Sequence, residues 1–301
     1  MDLQTTSTVF ATFGAVWLAA ALAMSALYPA CRRGLAPLRP AQRAWLLRLL
    51  ALTPALLALL ACIELFVVPG ALVPRHCHLS HCAAHNPDIQ PSFAIARDFL
   101  LLIFAPMALV ALKVTWSTVR LDRQWRRLSE PGAGFRHLDS AQPIACLLGV
   151  LRPTIYLSRG FIAQLTPAAL RVVVAHEQAH AARCDNLWVA LVRIVSLGWT
   201  VRSQLRADLE LAQEQACDLR AAAVVGDAVS VAETLVRCQR IAQTPQVACA
   251  FFRGQLAARV RGLLDDDYRA LSPLALLRFS SLALMLMAAL VIPLHYFIEL
   301  I

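Results

Sequence analysis

A chain of 301 residues has room for one or two ordinary domains. Its 59% apolar and 16% charged residues, with a mean hydropathy of +0.60, exclude an ordinary soluble domain and point to a membrane protein. The net charge of +9 would suit a nucleic-acid binder, but the arginines crowd beside apolar runs, where membrane topology accounts for them. With no helix-turn-helix, zinc finger or aromatic-interleaved basic strand, direct nucleic-acid binding is not expected.

A bilayer span needs about 20 mainly apolar residues. In chain order the first such segment covers 8–30 (VFATFGAVWLAAALAMSALYPA). Its leader, MDLQTTST, carries Asp2 and no basic residue, unlike a cleavable signal peptide. The second covers 45–68, the third 93–115 and the fourth 276–298. Arginine placement sets the orientation. Arg32, Arg33, Arg39 and Arg43 lie between spans one and two, and Lys113, Arg120, Arg123, Arg126 and Arg127 close or follow span three. Between spans two and three Arg75 is balanced by Asp88. The expected topology therefore has the N-terminus outside and residues 116–273 in the cytoplasm. Lys113 is the single lysine among 28 basic residues, and Ala, Leu and Pro abound, a composition that suggests a GC-rich bacterial genome and hence the bacterial inner membrane.

The expected outside loop within 70–92 reads VPRHCHLSHCAAHNPDIQPS over 73–92 and concentrates Cys77, Cys82, His76, His78, His81 and His85. Two cysteines in an oxidising compartment usually pair; a metal-binding or redox-sensing loop is the sharper alternative. The remaining cysteines read as small apolar fillers, and no CxxC pair indicates a structural zinc finger.

Within 116–273, PIACLLG (143–149) and PTIYL (153–157) read as two short strands, whose edge would suit an extended peptide or would simply close a core hairpin. Thr166-Pro167 then signals a helix over about 167–184. It carries HEQAH: His176 and His180 stand one turn apart on one face, spaced to share a metal ion. Glu177 is rotated aside, placed to take a proton from water. Catalytic zinc needs a third protein ligand. Cys184 lies too far along the axis, about 11 Å from His176, and is expected to pack instead. The metzincin extension fails at Arg183 and Asn186. A carboxylate from a second helix remains, and RADLELAQEQACDLRAAA (206–223) aligns Glu210, Glu214 and Asp218 on one stripe; the plainer alternative is a solvated acidic face. The apolar run 187–199 is too short to span and reads as a buried or membrane-hugging helix. Arg206 and Tyr268 are weak candidates for stabilising an oxyanion.

HEQAH with Arg183 and Asp185 after it, EQACD at 214–218, and the lead-in Gly149, Pro153, Ile155 and Leu157 resemble the BlaR/MecR-type integral-membrane metallopeptidases, a gluzincin family. The resemblance covers roughly 135–270 and extends to the layout of four spans. It implies one zinc ion held by His176, His180 and Glu214, Glu177 as general base, and Asp218 as a partner orienting a ligand histidine. Asp185 would brace the helix or be a solvated acid. The fold expected is a mainly α membrane protein: three spans in 1–115, an α+β gluzincin-like zinc protease domain in 116–273, and a fourth span in 274–301. Well-known members of that family carry a penicillin-binding sensor domain after the fourth span; none follows it in this sequence, so β-lactam sensing by that route is not expected. The function expected is a signal-responsive endopeptidase cutting a cytoplasmic protein substrate, such as a helix-turn-helix repressor, or itself. A quality-control endopeptidase for membrane proteins and a non-catalytic membrane receptor are the alternatives.

Overall fold

The structure, a computed structural model, describes residues 3–68, 76–78, 81–83, 93–242, 255–265 and 267–299. His85 and Cys249, and the loop outside its two strands, lie beyond the described residues.

Long apolar runs become long helices here even though each carries an internal proline, Pro29, Pro54, Pro106 and Pro293. Helix α1 covers Leu3–Leu35 and α2 covers Pro40–Cys62, with Pro40 at the first position, continuing into a π-helical turn Ile63–Val67. Strands β1 (His76–His78) and β2 (His81–Ala83) pair antiparallel with Cys77 opposite Cys82. Helix α3 then runs Phe93–Arg127, well beyond the 93–115 expected of a span. At 35 residues it measures about 52 Å against a hydrocarbon core of about 30 Å, so part of it must project. Among the described residues three helical stretches are long and apolar enough to cross a membrane: Thr6–Leu35, Pro40–Phe66 and Leu101–Arg127. The segment expected to form the fourth span is helical as α10, Pro273–Glu299.

Among the described residues, the segment between α3 and α10 folds as four strands and six helices. Strands β3 (Ser129–Pro131), β4 (Arg136–Leu138), β5 (Ala145–Leu148) and β6 (Thr154–Ser158) form a sheet in the order β3-β4-β6-β5. Only β4 and β6 are parallel, and β5 stands at an edge. The expected hairpin is β5 and β6; β3 and β4 were not expected. Gly149 turns the hairpin with φ +97°, where an added Cβ would meet the Arg152 carbonyl oxygen at 2.6 Å, which gives the glycine of the lead-in its physical reason. A short helix α4 (Arg159–Ile162) follows, capped by Ser158.

Helices α5 (Pro167–Ala182), α6 (Asp185–Val195), α7 (Arg202–Val225), α8 (Ala228–Ala242) and α9 (Leu256–Leu264) complete the segment. One core joins the sheet to α5, α7, α8 and α9 through Ile155, Leu157, Phe161, Val172, Val173, Ala221, Leu235 and Leu263. A second core joins the arginine-bearing ends of α1 and α2 to α6 and α7 through Tyr28, Leu47, Val192, Trp199, Leu205 and Leu209. Polar contacts reinforce it: Tyr28 and Arg32 both hydrogen-bond Asp208, and Arg43 donates to Gln215. Helix α3 meets the sheet where Trp125 packs edge-on against Tyr156 at 5.5 Å and Tyr156 donates to Asp122 at 3.0 Å. The short apolar run 187–199 supplies α6, which at 11 residues, about 16 Å, does not cross a bilayer by itself.

Gly160 sits where an added Cβ would strike the backbone of Ala141, whereas Gly34 has open space around it. Gly160→Ala is expected to cost about 1–3 kcal/mol, read as a lower thermal midpoint of the detergent-solubilised protein. Gly34→Ala should leave the midpoint unchanged or slightly raised.

Candidate metal centre

The helix that carries HEQAH is held on all sides. Thr166 caps it, its side chain accepting from the Ala169 N–H at 3.2 Å, and Val172, Val173, Ala175 and Ala179 bury its inner face. The helix ends at Ala182, two residues short of expectation, because Cys184 adopts a left-handed conformation (φ 52°) before α6. Cys184 is exposed there, so the expectation that it packs fails. Cys62, Cys146, Cys217 and Cys238 are buried and Cys31 half-buried, in keeping with apolar fillers.

His176 Nε2 lies 3.1 Å from His180 Nε2, and the two Glu214 carboxylate oxygens lie 3.4 Å from one histidine Nε2 each. Ligands about 2.0–2.1 Å from a tetrahedral zinc ion stand about 3.4 Å from one another. The three donors therefore already outline one face of such a tetrahedron, and the residues present fit the metal that the motif implies. Both histidines turn Nδ1 away to a carboxylate: His176 to Asp218 at 2.9 Å and His180 to Asp185 at 2.8 Å. With Nδ1 as the protonated nitrogen, two Nε2 lone pairs and a carboxylate face one another, an arrangement a cation satisfies.

The electrostatics lean the same way. Burial works against charge on both histidines, yet the carboxylates outweigh it: Asp218 and Glu214 raise His176, while Glu214 and Asp185 hold His180 well above its ordinary value. Burial also works to raise Glu214 and Asp218, but Arg259, first among their partners, holds both below the usual carboxylate range. Arg259 reaches Glu214 Oε2 at 2.9 Å and spans both Asp218 oxygens at 2.7 and 2.8 Å. Glu177 is 3% exposed, and its burial pushes the carboxyl up despite the neighbouring histidines, which makes it the stronger base. A second group, His180, Asp185 and Cys217, also comes within 4.8 Å. Burial lifts the Cys217 thiol to about 11, so it stays protonated at neutral pH and donates to Asp185 at 3.7 Å instead of serving as a thiolate ligand.

The centre opens into a cleft of about 490 Å³ lined by Glu177, His180 and Glu214, by Leu147 to Val150 of β5 and its turn, and by Asn186 and Arg193 of α6. Glu210 of the expected acidic stripe lines it too, and Val114, Ser117, Thr118 and Leu121 of α3 form a further wall. Asn186 pins the strand end, donating to the carbonyls of Leu147 and Gly149 at 3.0 Å each. Arg206 instead donates to Arg202 on its own helix, and neither Arg206 nor Tyr268 lines the cleft, so both oxyanion candidates are withdrawn.

Asp185 is 3% exposed and bound to a ligand histidine, so it is no solvated acid. Sequence reading missed Arg259 and Arg48, the cations behind the two aspartates. Arg48 had a local signal, a lone cation inside the apolar run WLLRLLALTP. Arg259 had none, since RVRGLL resembles any basic surface helix.

Two histidines and a glutamate around one metal position, with a buried carboxylate beside them, define a metallopeptidase-type centre. Residues 138–263 match the family model described as BlaR1 peptidase M56, a match over less than half of the chain. The resemblance to the BlaR/MecR-type family read from HEQAH and EQACD is borne out by it. No curated protein and no solved structure gives a significant match.

Replacing Arg259 by Met strands the buried Asp218 carboxylate and the partly buried Glu214 carboxylate, and a loss of about 3–5 kcal/mol is expected in metal-free protein. Asp218 has its pKa depressed in the folded state, so its pairing stabilises above the ordinary carboxylate value of about 3.9 and is lost as pH falls through the depressed one. The gap between wild type and variant in denaturant titrations is therefore largest at neutral pH and narrows on acidification.

Proposed function

We propose that the protein is an integral-membrane zinc metalloendopeptidase that cuts a cytoplasmic protein, a transcriptional repressor or itself, in response to an outside signal. The observation that carries this reading is the donor triangle of His176, His180 and Glu214, with Glu177 beside it, at the floor of a cleft. Zinc held there supplies a Lewis acid for the peptide carbonyl. Glu177, buried and made more basic, takes the proton of the attacking water and passes it to the leaving amine. Asp218 and Asp185 keep the two histidines in the tautomer that offers Nε2. β5, an edge strand in the cleft wall, suits an extended peptide added by strand pairing. The wall formed by α3 favours substrates presented close to the membrane face.

The proposal includes four spans, α10 being the fourth, with the N-terminus outside and 116–273 cytoplasmic in a bacterial inner membrane, as the arginine distribution favours. The signal would reach the outside hairpin. Its register sets Cys77 across from Cys82, and opposed residues of antiparallel strands stand about 4.5–5.5 Å apart, within disulfide range.

Glu177→Ala should retain zinc and lose peptidase activity by about 10²–10⁴-fold or more. N-terminal-enriched proteomics of cells expressing either form reads the substrate. A new N-terminus in a small DNA-binding repressor, absent with the variant, supports the signalling reading. Scattered cuts in membrane proteins favour quality control, and identical profiles across stresses leave a non-catalytic receptor. Replacing Cys77, Cys82, His76, His78, His81 and His85 together is expected to abolish the response of cleavage to metal or oxidant stress; an unaltered response removes the hairpin from the signal path.

A further inference from the structure

The two ligand histidines are held by matching chains of side chains that end in different parts of the molecule. His176 leans on Asp218, which leans on Arg259 of α9, and all of these lie within the peptidase fold. His180 leans on Asp185, whose other oxygen pairs with Arg48 of α2, a helix long and apolar enough to span the bilayer. We propose that Arg48 is a positioning residue of the metal centre, so that the affinity of the centre for zinc depends on where the second membrane helix sits.

Arg48 and Asp185 are both nearly inaccessible, their side chains 7% and 4% exposed, so neither finds water if the other leaves. Arg48 is fixed a second way: its guanidinium lies over the Trp188 ring at 5.1 Å, and Trp188 packs edge-on against Trp45 of α2. It stands eight residues into α2, about 12 Å from the end that carries Arg39 and Arg43. The other neighbours of Asp185 lie farther off than Arg48: Gln213 at 3.4 Å, the part-exposed Arg183 at 3.5 Å and the Cys217 thiol at 3.7 Å. Without Arg48, the buried carboxylate loses its nearest countercharge, and the hydrogen bond that holds the His180 ring is the one most affected. The peptidase fold thus completes one half of its ligand support internally and borrows the other half from a membrane helix.

This inference rests on the reading of the centre as a zinc site, and its test reads metal binding instead of proteolysis. Full-length protein in lipid nanodiscs is titrated with zinc against a chelating dye. Arg48→Met is expected to weaken zinc binding about ten- to hundred-fold, the usual effect of removing a partner behind a ligand histidine. Arg48→Lys, which keeps the charge but not the planar guanidinium that lies over Trp188, should fall between. Arg32→Met, which breaks an exposed ion pair to Asp208 at the same interface without touching the centre, should bind like wild type. In an Asp185→Asn background, Arg48→Met should add less than about a two-fold further loss, because both act through one carboxylate. Wild-type affinity in folded Arg48→Met, or losses that multiply in the double variant, would overturn the proposal. If Arg48→Met does not fold, Arg48→Lys decides alone, and wild-type affinity there overturns it. Absence of zinc binding in the wild type itself would instead sink the metallopeptidase reading.

Discussion

Two buried carboxylates, Asp185 and Asp218, each bind a ligand histidine on one side and an arginine on the other, and most of the molecule is arranged around that requirement. A carboxylate out of water is tolerable only with a countercharge and filled hydrogen bonds. The countercharges come from residues far away in the chain, Arg48 and Arg259, so α2 and α9 have to reach the metal-binding helices before the site exists. The same demand explains why α6 begins immediately after a left-handed residue. The turn at Cys184 swings Asp185 back beneath His180, where a straight continuation of α5 would have carried it away.

Around these pairs the fold divides the work. The apolar core of sheet, α5, α8 and α9 holds the histidine helix rigid, and rigid elements place ligands better than loops. Helix α7 runs through both cores, presenting Glu214 to the Nε2 atoms of His176 and His180, Asp218 to His176 Nδ1, and Leu205, Leu209 and Ala212 to the membrane helices. A shift of α1 or α2 is thus felt by the helix that carries the third ligand.

Features set by local chemistry were legible in the sequence. Thr166-Pro167 announced the start of α5, the spacing in HEQAH put two histidines on one face, and the short apolar runs on either side of Gly149 announced β5 and β6. Long apolar runs announced α1, α2 and α3, though not how far α3 continues, because Arg120 to Arg127 is as helical as it is polar. Strands β3 and β4, three residues each, are too short to show a period; β4 pairs along β6, and β3 pairs in turn along β4. The pairing of Arg48 with Asp185 and of Arg259 with Asp218 was illegible for another reason. An ion pair between residues 137 positions apart, as Arg48 and Asp185 are, leaves no periodic trace in either segment. Glu214 itself could be narrowed to a stripe of acids by spacing, but was selected from that stripe by family resemblance.

Helix α3 contributes a wall of the cleft while remaining one unbroken helix from Phe93 to Arg127. Such a rod turns small rotations at one end into displacements at the other. From Pro106, which removes a backbone hydrogen bond and favours a kink there, to Thr118 is about 18 Å, and a tilt of that stretch by about 5° carries Thr118 through about 1.6 Å. The width of the groove is therefore set by where α3 lies as well as by β5 and α6, which form its other walls.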